Sequence, residues 1–391
     1  MVPYQRSLFF YKCTMERKIR VLHITPDNKF FDSVFAAWEK NDDVENKALF
    51  YASRRSYRFQ YVKRTDILEI YYNKRDVKKR LQKKDYDAVF VHSMPWKFYQ
   101  FVTWIPADRI VIWWGWGYEI YQSQFGLPPL VNIPLYKEKT SAYTNKIHFG
   151  PRTIYKKVSH YLLKPYARHL QEKAVQRVNY FQPVVKLEME LMRKNRFFRA
   201  KEFYYKTMAP VFGEFKERRA DGNIIVGNSV APTINHLDIL DPILRFKQAQ
   251  QKIIMPLSYG NEKYKEWLKP HLQHSDIQPI YDFLPQEEYF QMVDQCSYAV
   301  YGNLRQQAMG NVTHDIAQGI KVCLFKDSIP YKNLINQGYV VFAIEDMTED
   351  SFRIPLTLEQ MEQNNRAMVA EYNRRSAIYD QVVNEVKCYI F

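Results

Sequence analysis

The chain has 391 residues, of which 46% are hydrophobic and 25% are charged, and this composition excludes collagen-like, coiled-coil and disordered proteins. The length favours two domains, and the four cysteines lack any zinc-binding spacing. The formal net charge of +15 is unevenly divided, because residues 1–220 hold 42 Lys and Arg against 21 Asp and Glu, whereas residues 221–391 carry a net −6. We therefore expect the basic half to face an anionic partner: nucleic acid, a membrane surface or a phosphorylated substrate.

The first half alternates short apolar segments with polar or glycine-containing turns. Buried strands that end in such turns are typical of open α/β sheets. A long basic stretch follows, which predicts a helix with a break or kink at Pro165. The predicted strands cover residues 19–24, 87–91 and 109–113, and the predicted helices cover residues 30–38 and 152–178.

A charged segment that ends in glycine, residues 216–222, is typical of a linker between domains. The alternation of strand, loop and helix restarts after it, which predicts a second parallel sheet with helices on both faces. The predicted strands cover residues 224–226, 252–255, 297–301 and 321–325, and the predicted helices cover residues 235–246, a segment ending at 268, 283–293 and 310–318. No uncharged apolar run approaches the length of a membrane-spanning helix, and the first apolar stretch is too short for a secretory signal.

Loops that follow predicted strands in the second half carry groups suited to phosphate. Ligands of open α/β sheets bind beyond the carboxyl ends of the strands, and helix N-termini attract anions. A turn at Gly227, Asn228 and Ser229 precedes one helix, and it fits a phosphate site and an ordinary capped turn equally well. A second loop offers a guanidinium for phosphate oxygens and amides for sugar hydroxyls, before another helix start. Its candidate residues are Arg305, Gln306, Gln307, Gly310 and Asn311.

No P-loop and no GxGxxG motif occurs, which excludes the common kinase, ATPase and dinucleotide-binding patterns. The first half contributes titratable side chains after its strands, and Asp27, His92 and Glu119 are the candidates for a general base. His23 fits a buried core histidine, and the tryptophan-rich loop that starts at Trp113 also fits packing between domains. No clustered His, Cys or Asp motif predicts a metal site.

Six stretches carry a resemblance to a known family. In chain order they are HITPDNKFFD from His23, VHSM from Val91, WWGWGYEIY from Trp113, IIVGNS from Ile224 with PTINH from Pro232, IMPLSYGN from Ile254 and LRQQAMGN from Leu304. These stretches resemble the TDP-4-acetamidofucose:lipid II acetamidofucosyltransferases, glycosyltransferase family 56, of bacterial surface-polysaccharide synthesis. Enterobacterial members have an Asp shortly after the Trp-Gly pair, whereas this chain has Gly117 there and its acid at Glu119.

The resemblance implies a GT-B fold, in which two Rossmann-like domains face each other across a cleft. We expect an acceptor- and membrane-facing domain at 1–215, a nucleotide-sugar domain at 221–375, and a helix at 376–391 that returns to the first domain. The donor would be a TDP- or UDP-linked sugar, bound by the phosphate loops named above together with Tyr259 and Gly260.

The same resemblance implies that the acceptor is a polyprenyl-diphosphate-linked saccharide used for capsule, O-antigen or common-antigen synthesis. It also implies a cytoplasmic enzyme that lies peripherally on the anionic cytoplasmic face of the inner membrane and uses neither metal nor cofactor. Two alternatives remain from the residues alone: a basic nucleic-acid-binding protein, and an inactive scaffold for polysaccharide assembly.

Overall fold

The computed structural model describes residues 18–147, 151–205 and 216–390. The strands are β1 Ile19–Thr25, β2 Val44–Tyr51, β3 Leu68–Tyr71, β4 Ala88–His92, β5 Ile110–Trp114, β6 Tyr180–Gln182, β7 Lys201–Glu202, β8 Asn223–Val226, β9 Ile253–Pro256, β10 Ile277–Ile280, β11 Cys296–Tyr301, β12 Lys321–Leu324 and β13 Phe342–Ala343. The helices are α1 Phe31–Glu39, α2 Lys74–Gln82, α3 Trp96–Trp104, α4 Tyr118–Tyr121, α5 Glu138–Ile147, α6 Pro151–Arg177, α7 Leu187–Arg193, α8 His236–Phe246, α9 Glu262–Leu268, α10 Gln286–Asp294, α11 Met309–Ala317, α12 Ile329–Asn336 and α13 Leu358–Ile390.

The first sheet has seven parallel strands in the order β3-β2-β1-β4-β5-β6-β7. Every residue of β4 is buried, as expected for a central strand with helices on both faces. One face packs against α1 and the end of α13, and the other packs against α3 and α6. The loops after β1, β4 and β5 therefore lie together at one edge of this sheet.

The second sheet has six parallel strands in the order β10-β9-β8-β11-β12-β13. Its central strand β11 is buried throughout, with α8 and α9 on one face and α11 and α12 on the other. The strand order reverses beside β8, so the loops after β8 and β11 flank the position where ligands of such sheets bind.

The chain crosses between the two sheets more than once. Helix α5 precedes the charged 216–222 segment, yet its Tyr143 packs on Tyr264 and Trp267 of the second sheet's helices. Asp238 of α8 accepts the N–H groups of Lys139 and Thr140, which satisfies the start of α5. The two halves are thus joined by packed helices.

Two long helices complete the structure. Helix α6 returns from α5 to the first sheet and is continuous through Pro165, where the sequence had predicted a break or kink. Helix α13 spans the segment expected to return to the first domain, and near its end Lys387 Nζ lies 3.0 Å from Asp43 Oδ1. In the parts of the chain that the structure describes, no helix is both long and apolar enough to cross a bilayer.

Candidate active site

The loop after β1 reaches across to the loop after β9. Lys29 Nζ lies 3.3 Å from the hydroxyl of Tyr259 and 4.4 Å from the centre of its ring. The same hydroxyl accepts a hydrogen bond of 3.1 Å from Asn228 Nδ2, in the loop after β8. The carboxyl edges of the two sheets therefore face each other across a cleft.

A pocket of about 510 Å³ opens in this cleft, mainly on the side of the second sheet. Its walls are largely aromatic: Phe283 is 78% exposed, and the rings of Phe290 and His314 stack at 4.5 Å. Flat exposed rings suit a planar nucleotide base. The remaining lining residues are Lys29, Phe30, Asn228, Pro256, Ser258, Tyr259, Ile280, Asp282, Leu284, Tyr289, Met292, Gly310 and Asn311.

Helix α11 begins at the wall of this pocket without a capping side chain. Its first-turn N–H groups carry the positive end of the helix dipole, which favours a phosphate. A Cβ placed on Gly310 would meet no heavy atom within 4 Å, so there is open space beside the helix start. Asn311 is oriented by a hydrogen bond of 2.8 Å from its Nδ2 to the hydroxyl of Tyr289.

Four of the expected donor-binding residues line the pocket, namely Asn228, Tyr259, Gly310 and Asn311. Gly227 and Gly260 instead lie in tight turns, against Ile234 and the Val230 carbonyl respectively. Ser229 is buried, and its hydroxyl lies 3.4 Å from the amide oxygen of Asn228.

Arg305, expected to bind the donor diphosphate, does not line the pocket. The side chain is buried, its Nη1 donates to the Gln306 carbonyl at 2.7 Å, and its Nε has no hydrogen-bond partner among the described residues. Burial lowers the pKa of Arg305, an effect opposed by the nearby Tyr121 and Glu119. The guanidinium thus lies beneath the cleft, at the junction of the two domains.

The amides next to Arg305 are also engaged in the structure of the loop. Gln306 is buried, and Gln307 Oε1 accepts a hydrogen bond of 2.6 Å from the hydroxyl of Thr233. Both side chains were expected to reach a sugar hydroxyl. Gly117, at φ +88°, packs so closely on this loop that a Cβ would lie 3.0 Å from Arg305 Nη1.

Glu119 lies in the same buried junction, only 1% exposed. Its Oε1 accepts the N–H of Trp116 at 2.9 Å, and burial raises its pKa to about 7. A second buried acid, Glu188, accepts hydrogen bonds from the Tyr121 hydroxyl and from the Val184 N–H, and burial raises its pKa to about 7 as well. The sequence carries no signal for Glu188, which occupies an ordinary position of α7.

Asp27 is half-buried in the loop that carries Lys29. Its carboxylate accepts four hydrogen bonds, from the Tyr57 hydroxyl and from the N–H groups of Gln60, Tyr61 and Val62. Asp27 therefore holds the 57–62 segment against the loop that follows β1.

His92 is fully buried and paired with His23, whose Nδ1 lies 2.9 Å from His92 Nε2. His23 Nε2 in turn lies 3.0 Å from Asn46 Oδ1. Burial lowers the pKa of His23 to about 4, and burial together with His23 places the pKa of His92 well below its ordinary value. Both rings are neutral members of an aromatic cluster that includes Phe31 and Phe90.

An aromatic surface lies on the first sheet's side of the cleft. Phe30 packs against Trp116 at 4.6 Å, and Trp116 packs against Trp114 at 4.5 Å. Phe30 remains 42% exposed, so this surface is open to a ligand. Among the residues that the structure describes, no three His, Cys, Asp or Glu side chains cluster as metal ligands do.

Comparison with known proteins gives both a family and a fold. The family described as "4-alpha-L-fucosyltransferase glycosyl transferase group 56" matches residues 153–382. Three solved structures are similar over nearly the whole chain. A lipopolysaccharide outer core galactosyltransferase, WaaB, in its apo form has 9% identity, covers 95% of this chain and 99% of its own, and has a TM-score of 0.51. An α,α-trehalose 6-phosphate synthase of Burkholderia multivorans has 7% identity, 96% and 99% coverage, and a TM-score of 0.57.

The third structure, described as "Trehalose-6-phosphate from E. coli bound with UDP-2-fluoro glucose", has 9% identity, 94% and 99% coverage, and a TM-score of 0.55. These similarities and the two parallel sheets confirm the expected GT-B fold. At such low identities they speak for the fold alone.

Proposed function

The chain belongs to glycosyltransferase family 56, the 4-α-L-fucosyltransferases, and we propose that it moves an acetamidofucose-like or other hexosyl group from a TDP- or UDP-linked donor to a polyprenyl-diphosphate-linked saccharide. Membership of this family makes the chain a sugar-transferring enzyme, which favours transfer over the nucleic-acid-binding and inactive-scaffold interpretations. The observation that carries the proposal is the 510 Å³ pocket, whose aromatic walls lie beside the uncapped start of α11.

In this proposal the nucleotide base packs among Phe283, Tyr289 and Phe290, and the diphosphate lies against the first turn of α11. The backbone N–H groups there would stabilise the charge that develops on the leaving diphosphate. Because protein groups would stabilise that charge, we propose that transfer needs no metal ion.

The experiment is a binding titration of TDP and UDP to the full chain. We expect micromolar binding of one of them, and Tyr289→Ala, which removes an aromatic wall of the pocket, should weaken it about tenfold or more. Tyr72→Ala, a change at an exposed tyrosine outside the pocket, is the matched control and should bind as the parent does. Failure of the parent to bind any nucleoside diphosphate would overturn the proposal.

For a transfer that inverts the anomeric centre, a base must take the proton of the acceptor hydroxyl. Of the three candidates, His92 and Glu119 are fully buried, whereas Asp27 is half-buried in the loop that borders the pocket. We therefore assign this role to Asp27, whose hydrogen bond from the Tyr57 hydroxyl has to break before Oδ2 can take the proton. Asp27→Asn should lower kcat at least 100-fold with donor affinity retained, because the amide cannot accept the proton.

The matched control for Asp27 is Asp32→Asn. Asp32 of α1 also ties the neighbouring segment, since its Oδ2 accepts the N–H of Lys63 at 2.9 Å. Equal losses of activity in the two variants would show that Asp27 only supports the segment.

We propose that an anionic membrane surface brings the enzyme to its lipid-linked acceptor. The described part of α6 presents Leu163, Lys164 and Tyr166 to solvent, and Arg168 and Arg196 line one pocket of about 220 Å³. Each basic side chain near an anionic surface contributes on the order of 1 kcal/mol. Lys156 and Lys157 of the same helix lie outside the residues whose side chains are described.

Flotation with liposomes tests this face. We expect salt-sensitive binding to anionic vesicles that Lys164→Gln with Arg168→Gln reduces severalfold, without a change in nucleotide affinity. Lys83→Gln with Lys40→Gln, which removes two exposed cations elsewhere, should keep the parent's binding. Unchanged flotation of the α6 variant would rule out this face as the docking surface.

A further inference from the structure

The pocket contains little positive charge for a site that is to hold a diphosphate. Arg305 lies in the buried domain junction, away from the pocket wall. The ring of His314 stacks on Phe290, and its Nδ1 lies 3.3 Å from Asp315 Oδ1. Among the described residues that line the pocket, Lys29 is the one Lys or Arg, and it comes from the opposite sheet.

Lys29 is available to a new anionic partner. Among the described residues, its ammonium group contacts neutral groups: the hydroxyl and ring of Tyr259, and the ring of Phe30 at 5.0 Å. No described carboxylate lies within ion-pair distance of its Nζ. Phosphate oxygens form charge-assisted hydrogen bonds with an ammonium group, and these are stronger than the contacts that Lys29 makes now.

A chain of polar side chains connects Lys29 to the start of α11. Tyr259 accepts hydrogen bonds from Lys29 and from Asn228, and Asn228 Nδ2 lies 3.4 Å from Asn311 Oδ1 in the first turn of the helix. These side chains come from both sheets, so they can share one ligand only while the cleft is closed. Each has a donor group that can turn to a phosphate oxygen.

We propose that Lys29 forms, with Asn228 and Asn311, an interdomain subsite for the diphosphate of the nucleotide donor. This inference rests on the proposed function and adds to it a donor ligand that the acceptor-side domain supplies. Because Lys29 lies two residues after Asp27, donor binding through Lys29 also fixes the loop that carries the assigned base. The donor then orders the acceptor side before transfer.

The test measures how much the diphosphate contributes to binding, separately from the nucleoside. The full chain is titrated with TDP and UDP by calorimetry, and thymidine and uridine binding is followed by saturation-transfer NMR. Lys29→Gln should weaken diphosphate binding about 10- to 100-fold and leave nucleoside binding within twofold. Lys29→Arg should keep diphosphate binding within about threefold, and Lys40→Gln, an exposed lysine at the end of α1, should match the parent.

Three other results would overturn the inference. Diphosphate binding by Lys29→Gln at the parent's affinity would exclude Lys29 from the subsite while leaving the nucleotide pocket intact. An equal loss of nucleoside binding would show that Lys29 only shapes the pocket. If the parent binds nucleosides but gains no affinity from the diphosphate, the subsite does not exist, whereas the absence of all nucleotide binding would remove the proposed function itself.

Discussion

The buried acid Glu188 should make the stability of this protein depend on pH in a defined direction. Its pKa rises from 4.5 to about 7 in the folded chain because burial disfavours the carboxylate. The folded state thus favours the protonated carboxyl of Glu188. This preference stabilises the fold fully below pH 4.5, and the stabilisation is lost as the pH rises to about 7. The difference between the unfolded and folded pKa values corresponds to about 3 kcal/mol of folding free energy, most of which is lost between pH 5 and 8.

Glu188→Gln removes this titration and keeps the neutral shape. The amide oxygen can accept the N–H of Val184, and the Tyr121 hydroxyl can turn to accept from the amide nitrogen. Urea unfolding at pH 5, 6, 7 and 8 should show the variant gaining about 2–3 kcal/mol relative to the parent across this range. Glu190→Gln, a change at an exposed position of the same helix, should show the same pH dependence of the unfolding free energy as the parent. If Glu188→Gln showed the parent's pH dependence, the raised pKa of Glu188 in the folded chain would be refuted.

Three further predictions follow from the junction and the pocket. Gly117→Ala should destabilise the chain by at least 1 kcal/mol more than Gly338→Ala in urea unfolding, because both have positive φ but only Gly117 packs on Arg305; equal losses would exclude the contact. Arg305→Ala should lower the free energy of unfolding by about 2–3 kcal/mol, because removal of a buried side chain leaves a cavity. It should leave TDP or UDP affinity within threefold, and a selective loss of affinity in calorimetry would identify Arg305 as a donor ligand. Transfer should persist in EDTA, and a complete loss that Mg²⁺ reverses would contradict metal-independent catalysis.

The central strands could be predicted from sequence because their apolar runs are uninterrupted. Residues 87–91 and 297–301 correspond to β4 and β11, each shifted by no more than one residue at either end. Strand β2 escaped prediction because Glu45, Asn46 and Lys47 interrupt its pattern, although its C-terminal part is buried. The helix expected from residue 283 begins at Gln286, since Pro285 precedes it and disfavours a helical residue before the ring.

The site was predictable in place but only partly in detail. Strand ends identify which loops meet, and four of the ten expected donor-side residues line the pocket. A sequence does not show whether a polar side chain points into the cleft or back into the loop, which is what separates Asn311 from Gln307. Lys29 lies within the stretch HITPDNKFFD, but its contact with Tyr259 depends on how the domains face each other.

The charge asymmetry has a structural counterpart outside the donor site. The first 220 residues carry 42 Lys and Arg, yet Lys29 is the single one of them that lines the 510 Å³ pocket in the described part of the chain. Arg305, from the other half, is buried. The positive charge therefore cannot be explained by the nucleotide. It lies instead on outer faces such as that of α6, where Lys164 and Arg168 flank the exposed Tyr166. A face of that kind contributes to binding when a broad anionic surface meets many side chains at once, and we propose that a membrane is that surface.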